Sequence, residues 1–303
     1  MKGVFMQPNP ILKKLGFSED DRVVIIHTDD IGMCQASVEA FADMVDFGLI
    51  SSGAVMMPCP WAMAAAKYAR LNPQADLGVH LTLTSEWELY RWGPLSTRSQ
   101  ATGLLDSEGF FPHLSHQVQA SAEPEAVEVE LNMQISKAIA AGIVPTHIDT
   151  HMGSVAHPKF IQIYIQLAIQ FGLPLMLPRY SEAEWQAYGG IDAETASMAE
   201  KLIAGLEGMG IPLLDGLSGL ELVDPNNRFD QAKTALLALK PGITHFIIHP
   251  SKDTPELRNI TDSWACRVAD YQTFMDEKTR QFIKDQGIHI IGYRALKELM
   301  PQP

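Results

Sequence analysis

Short apolar runs rich in β-branched residues recur along the chain: VVIIHT from Val23, ISSGAVMM from Ile50, LGVHLTL from Leu77, THIDTH from Thr146, PLMLP from Pro174, THFIIHP from Thr244 and IHIIGY from Ile288. Runs of this length, apolar at nearly every position, predict strands buried on both faces, the pattern of a parallel sheet. Between them apolar residues recur at three- and four-residue spacing over 34–47, 61–71, 123–141, 157–171, 195–208, 229–239 and 265–286, which predicts amphipathic helices. Repeated βα units most simply close on themselves. The expected fold is therefore a (β/α) barrel of seven or eight strands, TIM-barrel-like, with IPLLDG near residue 211 as the eighth. A doubly wound open sheet shares the alternation but normally carries a Gly-rich loop after its first strand, and none follows VVIIHT.

Stretches 84–120 and 178–194 lack periodicity and are expected to be long loops. Their aromatics, Trp87, Tyr90, Trp92, Phe110, Phe111, Tyr180, Trp185 and Tyr188, either form a wall on which a sugar stacks or pack the loops onto the rim. No repeat or linker interrupts the pattern, so residues 1–303 are expected to form a single domain. Residues 1–22 form an N-terminal extension in which NPILKKLGF predicts a short helix under the barrel.

Composition narrows the partners. A hydrophobic share of 46% and a charged share of 19% are those of a globular protein. The formal net charge of −13 disfavours nucleic acid and other polyanions, leaving a small neutral or cationic molecule. No apolar run reaches the length of a signal peptide or a membrane span, so the expected location is the cytoplasm, away from membranes. The three cysteines, Cys34, Cys59 and Cys266, have no paired spacing, so any metal must be held by histidine and carboxylate.

Polar residues gather at the C-terminal ends of the predicted strands: His27, Asp29 and Asp30 after the first, His80 in the third, His147, Asp149 and His151 in the fourth, and His249 in the sixth. In a barrel these ends share one mouth, where active sites are built. Taken singly, each has an ordinary explanation: the Asp pair could cap the next helix, and a histidine between apolar neighbours is usually a hydrogen-bonded core residue. Together they are harder to dismiss, because His147, Asp149 and His151 sit two apart and point to one face of a strand. One Asp with two His suits a divalent metal such as Mg²⁺ or Zn²⁺ and leaves positions open for water and substrate, while a second carboxylate and His249 could move protons.

The stretches HTDDIGMC at 27–34, GVHLTLT at 78–84, PTHIDTH at 145–151, IIHPS at 247–251 and GYR at 292–294, in this order, resemble the YdjC-like carbohydrate deacetylases, relatives of the NodB-type polysaccharide deacetylases. The resemblance implies a deacetylase-type (β/α) barrel that removes acetyl groups from N-acetylated sugars such as chito-oligosaccharides. It implies Asp30, His80 and His151 as metal ligands, Asp29 as base and His249 as acid. His147 and Asp149 are then candidates to orient a ligand imidazole from behind. Two departures fall at Ile31, where the family usually has Phe, and at Met152 and Gly153, where histidines often follow the last ligand. Two rival readings are a metal- and sugar-binding protein without catalysis and a non-haem Fe(II) oxygenase using His147 and Asp149. A homodimer is an open expectation.

Overall fold

The computed structural model describes residues 8–301, so residues 1–7 of the expected extension and residues 302–303 lie outside the described residues. Seven parallel strands form one sheet: β1 Arg22–Ile31, β2 Ser52–Val55, β3 Leu77–Leu81, β4 Ile148–Thr150, β5 Gly216–Gly219, β6 Gly242–Ile248 and β7 His289–Ile290. The order is β4-β3-β2-β1-β6-β5. β1 pairs with β6 from Arg22 to Thr28; its other edge is shared by β7, at Val23 and Val24, and β2, from His27 onward.

The sheet is a parallel α/β half-barrel rather than the regular ring of seven or eight strands expected from the apolar runs. PLMLP forms no strand, and among the described residues the far side between β4 and β5 is bridged only by the isolated parallel pairs Ile148 with Leu175 and Pro178 with Leu214. Pro174 and Pro178 bracket this run, and proline supplies no amide to a ladder. The strand expected near 211 lies later, at Gly216–Gly219.

Six of the seven predicted helices form, starting or ending within a few residues of the pattern, from Gln35–Phe47 to Arg228–Leu237. The seventh, over 265–286, is two helices, Trp264–Phe274 and Glu277–Asp285, because Asp276 accepts the amide of Lys278 and starts a new one. The stretch 178–194 is not all loop: Ser181 caps a helix at Glu182–Gly189 through a reciprocal pair with Glu184.

Alternation along β1 sorts its side chains. Val24 and Ile26 pack under the helices in the main core, whereas Val23 and Ile25 join Ile11, Leu12, Leu214, Ile243, Tyr293 and Leu296 on the other face. The helix Pro10–Lys14, capped by Asn9, brings Ile11 and Leu12 there, each burial stabilising the fold by about 1.5–3 kcal/mol. This apolar plug fills the end where the strands begin. It leaves the interior beyond it, from His27 upward, to polar residues.

Candidate metal centre

Strict alternation would send Asp29 and Asp30 to opposite faces of β1. The strand avoids this with a bulge: Thr28 pairs with Gly53 but Ile31 pairs with Val55, so three steps on β1 oppose two on β2. Asp30 absorbs the extra residue in the left-handed region (φ 61°), which aspartate tolerates better than most side chains. Both carboxylates therefore reach one interior site, where they are almost fully buried.

There the structure brings together the three expected ligands. Asp30 Oδ1 lies 3.1 Å from His151 Nδ1 and 3.5 Å from His80 Nε2. All three donor atoms lie within 4.8 Å of one another. Asp30 Oδ1 nevertheless has no hydrogen-bond partner of acceptable geometry, and a buried oxygen left so is costly. Two ring nitrogens and one carboxylate oxygen gathered within ligand distance of one another fit a divalent cation.

Each of these three side chains is held from behind. His80 and Asp149 are direct neighbours across β3 and β4, and Asp149 Oδ1 sits 2.9 Å from His80 Nδ1. Glu86 Oε2 lies 3.0 Å from His151 Nε2. Arg267, from the helix Trp264–Phe274, donates to Asp30 Oδ2 at 2.7 Å. Asp29 Oδ2 is 3.7 Å from His80 Nε2 and 3.9 Å from His249 Nε2, so the remaining pair flanks the site. The backbone of His249 donates to Asp270, itself paired with Arg228. His147 reaches none of the three. It bonds His27 and Thr146 through its two ring nitrogens, which leaves the His147 and Asp149 pair without the open face an oxygenase triad needs. A second group within ligand distance, His27, Asp29, Asp149 and His245, is partly closed by the 2.7 Å bond between His27 and Asp29.

Electrostatics follow from burial and pairing. Burial works against charge on Asp30, but the Arg267 guanidinium and the imidazoles of His151 and His80 outweigh it and hold the carboxyl well below the usual range. Burial likewise opposes charge on His80 and His151; the carboxylates of Asp149 and Asp29 lift His80 well above its ordinary value, and those of Glu86 and Asp30 lift His151 to about 9. His147 and His245, buried beside other imidazoles, are held well below.

The metal-free protein is accordingly expected to be most stable near the ordinary imidazole pKa of 6.5. Below it, the unfolded chain takes up protons at positions 147 and 245 that the folded chain refuses, so stability falls with pH. Above it, the folded chain keeps protons on His80 and His151 that the unfolded chain releases, and that stability is lost as pH rises through about 9. Each proton contributes a slope of about 1.4 kcal/mol per pH unit. Urea midpoints across this range, with a chelator, check the maximum. Saturating metal should flatten the alkaline limb, since ligation removes those protons from the folded state.

Outside the centre, the loop aromatics divide. Trp92 and Phe111 are buried in the core, Trp92 Nε1 donating to Thr84 and Tyr90 donating to Met33, so this group packs. Tyr180, Trp185 and Tyr188 instead line a cavity of about 540 Å³ with Leu217 and Lys240. Ile31 is a core residue, so that departure concerns packing, and Met152 takes a left-handed turn (φ 51°) directly after His151. The three cysteines are free and buried, and no described helix is long and apolar enough to cross a membrane.

Sequence reasoning missed Arg267, Glu86 and His245. Arg267 reads as one charge on an amphipathic helix and Glu86 as one polar residue in a loop; only long-range contact marks them.

Residues 23–285 match the family described as YdjC-like protein. A carbohydrate deacetylase of Thermus thermophilus is 31% identical over 290 residues, 96% of this chain and 99% of that protein. A chitooligosaccharide deacetylase of Yersinia enterocolitica is 27% identical over 212 residues, 68% of this chain and 78% of that protein. The crystal structure of a protein from Enterococcus faecalis V583 superposes with a TM-score of 0.73 at 21% identity, covering 91% of this chain and 99% of its own, and shares the fold. With the motif order, the fold and these matches in agreement, the chain belongs to the YdjC-like protein family.

Proposed function

We propose that the protein is a divalent-metal-dependent carbohydrate deacetylase that hydrolyses the acetamide of an N-acetylated sugar to acetate and the free amine. The observation that carries this is the convergence of Asp30, His80 and His151 on an unpartnered carboxylate oxygen, with Asp29 and His249 beside it. The relatives named as carbohydrate deacetylases, spanning nearly all of this chain, support the substrate class.

Asp30 Oδ1, His80 Nε2 and His151 Nδ1 would hold the cation, Zn²⁺ or, with waters completing its shell, Mg²⁺. A divalent cation there polarises the acetamide carbonyl and acidifies a water. Asp29 Oδ2 takes the proton of the attacking water as its oxygen bonds to the carbonyl carbon. Burial holds the His249 pKa below its ordinary value, so the ring is neutral before reaction. Asp29 Oδ2 and His249 Nε2 stand 3.9 Å apart, so the proton collected on Asp29 reaches His249 through a bridging water, and His249 delivers it to the nitrogen as the C–N bond breaks. Asp149 and Glu86 fix the ring orientation of His80 and His151. Sugar rings have a candidate cradle in the cavity lined by Tyr180, Trp185 and Tyr188.

Acetate release from a panel of N-acetylated mono- and oligosaccharides, with several metals, tests the proposal. Asp29→Asn should lower kcat by about 10²–10⁴-fold while metal content stays at the wild-type level. Full turnover by that variant would remove Asp29 from the role of base.

A further inference from the structure

Glu86 stands in a segment with no regular structure of its own. From the end of β3 at Leu81 to the short 3₁₀ turn Gln100–Thr102 the chain forms neither helix nor strand. A side chain that must hold an imidazole in place to within about 0.5 Å therefore hangs from backbone that no helix or sheet fixes. Its order has to come from side chains, because a loop without such ties keeps its conformational freedom.

Arg91 supplies the ties. Its side chain is 4% exposed, and every one of its N–H groups has an acceptor. Nε donates to Ser85 Oγ at 3.3 Å, and Nη1 donates to His113 Nε2 at 2.8 Å and to Glu108 Oε2 at 3.4 Å. Nη2 donates to Asp106 Oδ2 at 2.6 Å and to the Phe111 carbonyl at 2.7 Å. The acceptors come from both runs of the loop, 85–92 and 106–113, which backbone bonds also join from Ser85 to Pro112 and from Phe111 to Trp92.

Two of these bonds bear on Glu86. Ser85 directly precedes it in the chain. His113 reaches its backbone: arginine only donates, so His113 Nε2 must accept, the proton of the neutral ring sits on Nδ1, and Nδ1 donates to the Glu86 carbonyl at 3.2 Å. With one proton on the ring every contact of His113 is satisfied. The Glu86 backbone is thus held at its own carbonyl and at the residue before it, while its carboxylate lies 3.0 Å from His151 Nε2.

We propose that Arg91 and His113 are positioning residues, which fix Glu86 against His151 and so set how tightly the centre of Asp30, His80 and His151 holds its divalent cation. The inference rests on reading those three side chains as the ones that hold metal, and is independent of which reaction the centre performs.

Titration with Zn²⁺ against a competing chelator reads the effect without turnover. Arg91→Lys keeps the charge but loses the planar fork, so it cannot serve Ser85 and His113 together with Asp106, and the Kd for Zn²⁺ should rise about tenfold. Glu86→Ala should raise it about 10–100-fold. Adding Arg91→Lys to Glu86→Ala should then weaken binding by no more than about twofold, since the arginine acts through a contact already lost. An unchanged Kd in Arg91→Lys overturns the proposal. So do losses that multiply in the double variant, which would make the arginine a support of the fold alone.

Should Arg91→Lys not fold, His113 carries the test. His113→Phe keeps a ring but removes both bonds and should also raise the Kd about tenfold; His113→Gln, whose amide can accept from Arg91 and donate to Glu86, should recover most of the loss. A His113→Phe protein that binds Zn²⁺ as wild type does overturns the proposal. Histidine ¹⁵N NMR of the metal-free protein should show neutral His113 as the Nδ1–H tautomer, and the Nε2–H form would refute the tie to Glu86. A wild type that binds neither Zn²⁺ nor Mg²⁺ refutes the metal centre and this inference with it. The expected Kd changes in a protein that releases no acetate support the inference and refute only the deacetylase reading.

Discussion

His151→Ala and His80→Ala proteins are expected to lose their divalent ion on dialysis and to release acetate at least about 10³-fold more slowly than wild type. Each substitution removes one of three donor atoms, Asp30 Oδ1 and the two ring nitrogens beside it, and two donors do not hold a divalent ion that three hold with positions to spare. What disappears with the ion is the polarisation of the carbonyl and the acidified water, several kcal/mol of transition-state stabilisation, with each 1.36 kcal/mol worth about a factor of ten. Glu86→Gln is the graded control. It leaves the ligand set intact but weakens the contact that orients His151, so its cost should stay within about 10–100-fold. Metal content by elemental analysis, together with acetate release, separates the two outcomes. Either histidine variant keeping one ion per chain and full turnover would place the metal elsewhere.

Arg267→Met is expected to destabilise the metal-free protein by about 3–5 kcal/mol, the cost of leaving one partner of a buried ion pair alone. Asp30 is 2% exposed, and among the described residues Arg267 supplies the only full positive charge bonded to it that does not depend on a histidine proton. A bound divalent ion offers that carboxylate a second cation. Ligand binding to the folded state alone adds about 2.7 kcal/mol at a hundred times Kd. The gap between Arg267→Met and wild type should therefore narrow in excess metal and widen in chelator. Thermal unfolding under both conditions tests this, and equal stability in chelator would mean that Asp30 does not rely on the guanidinium.

The alternation of strand and helix was legible because both periods run unbroken in the apolar residues, and the polar ends of four strands pointed to a shared site. Asp30, His80 and His151 were readable for that reason: each sits at the end of, or inside, an apolar run where a charge is conspicuous. Other features left no local trace. PLMLP has the apolar content of a strand, yet its bracketing prolines and isolated bridges make it an irregular stave. The break between Trp264–Phe274 and Glu277–Asp285 depends on one capping aspartate inside a continuous helical pattern. Arg267 lies 237 positions from the carboxylate it serves, a separation no spacing rule spans. His147 was readable as a polar residue on the right face, but its partner, His27 rather than a ligand, depends on where two strands meet.

The bulge in β1 has a consequence for engineering. An Asp-Asp dipeptide transplanted onto the end of a regular strand would direct one carboxylate into a core and the other toward solvent-side packing. Any attempt to graft this chemistry onto another scaffold must therefore carry over the supernumerary residue and its left-handed backbone along with the two acids. By the same geometry, the extra residue of the bulge is itself one of the two acids, so a deletion between Thr28 and Ile31 that restores regular pairing with β2 leaves a single carboxylate at the site.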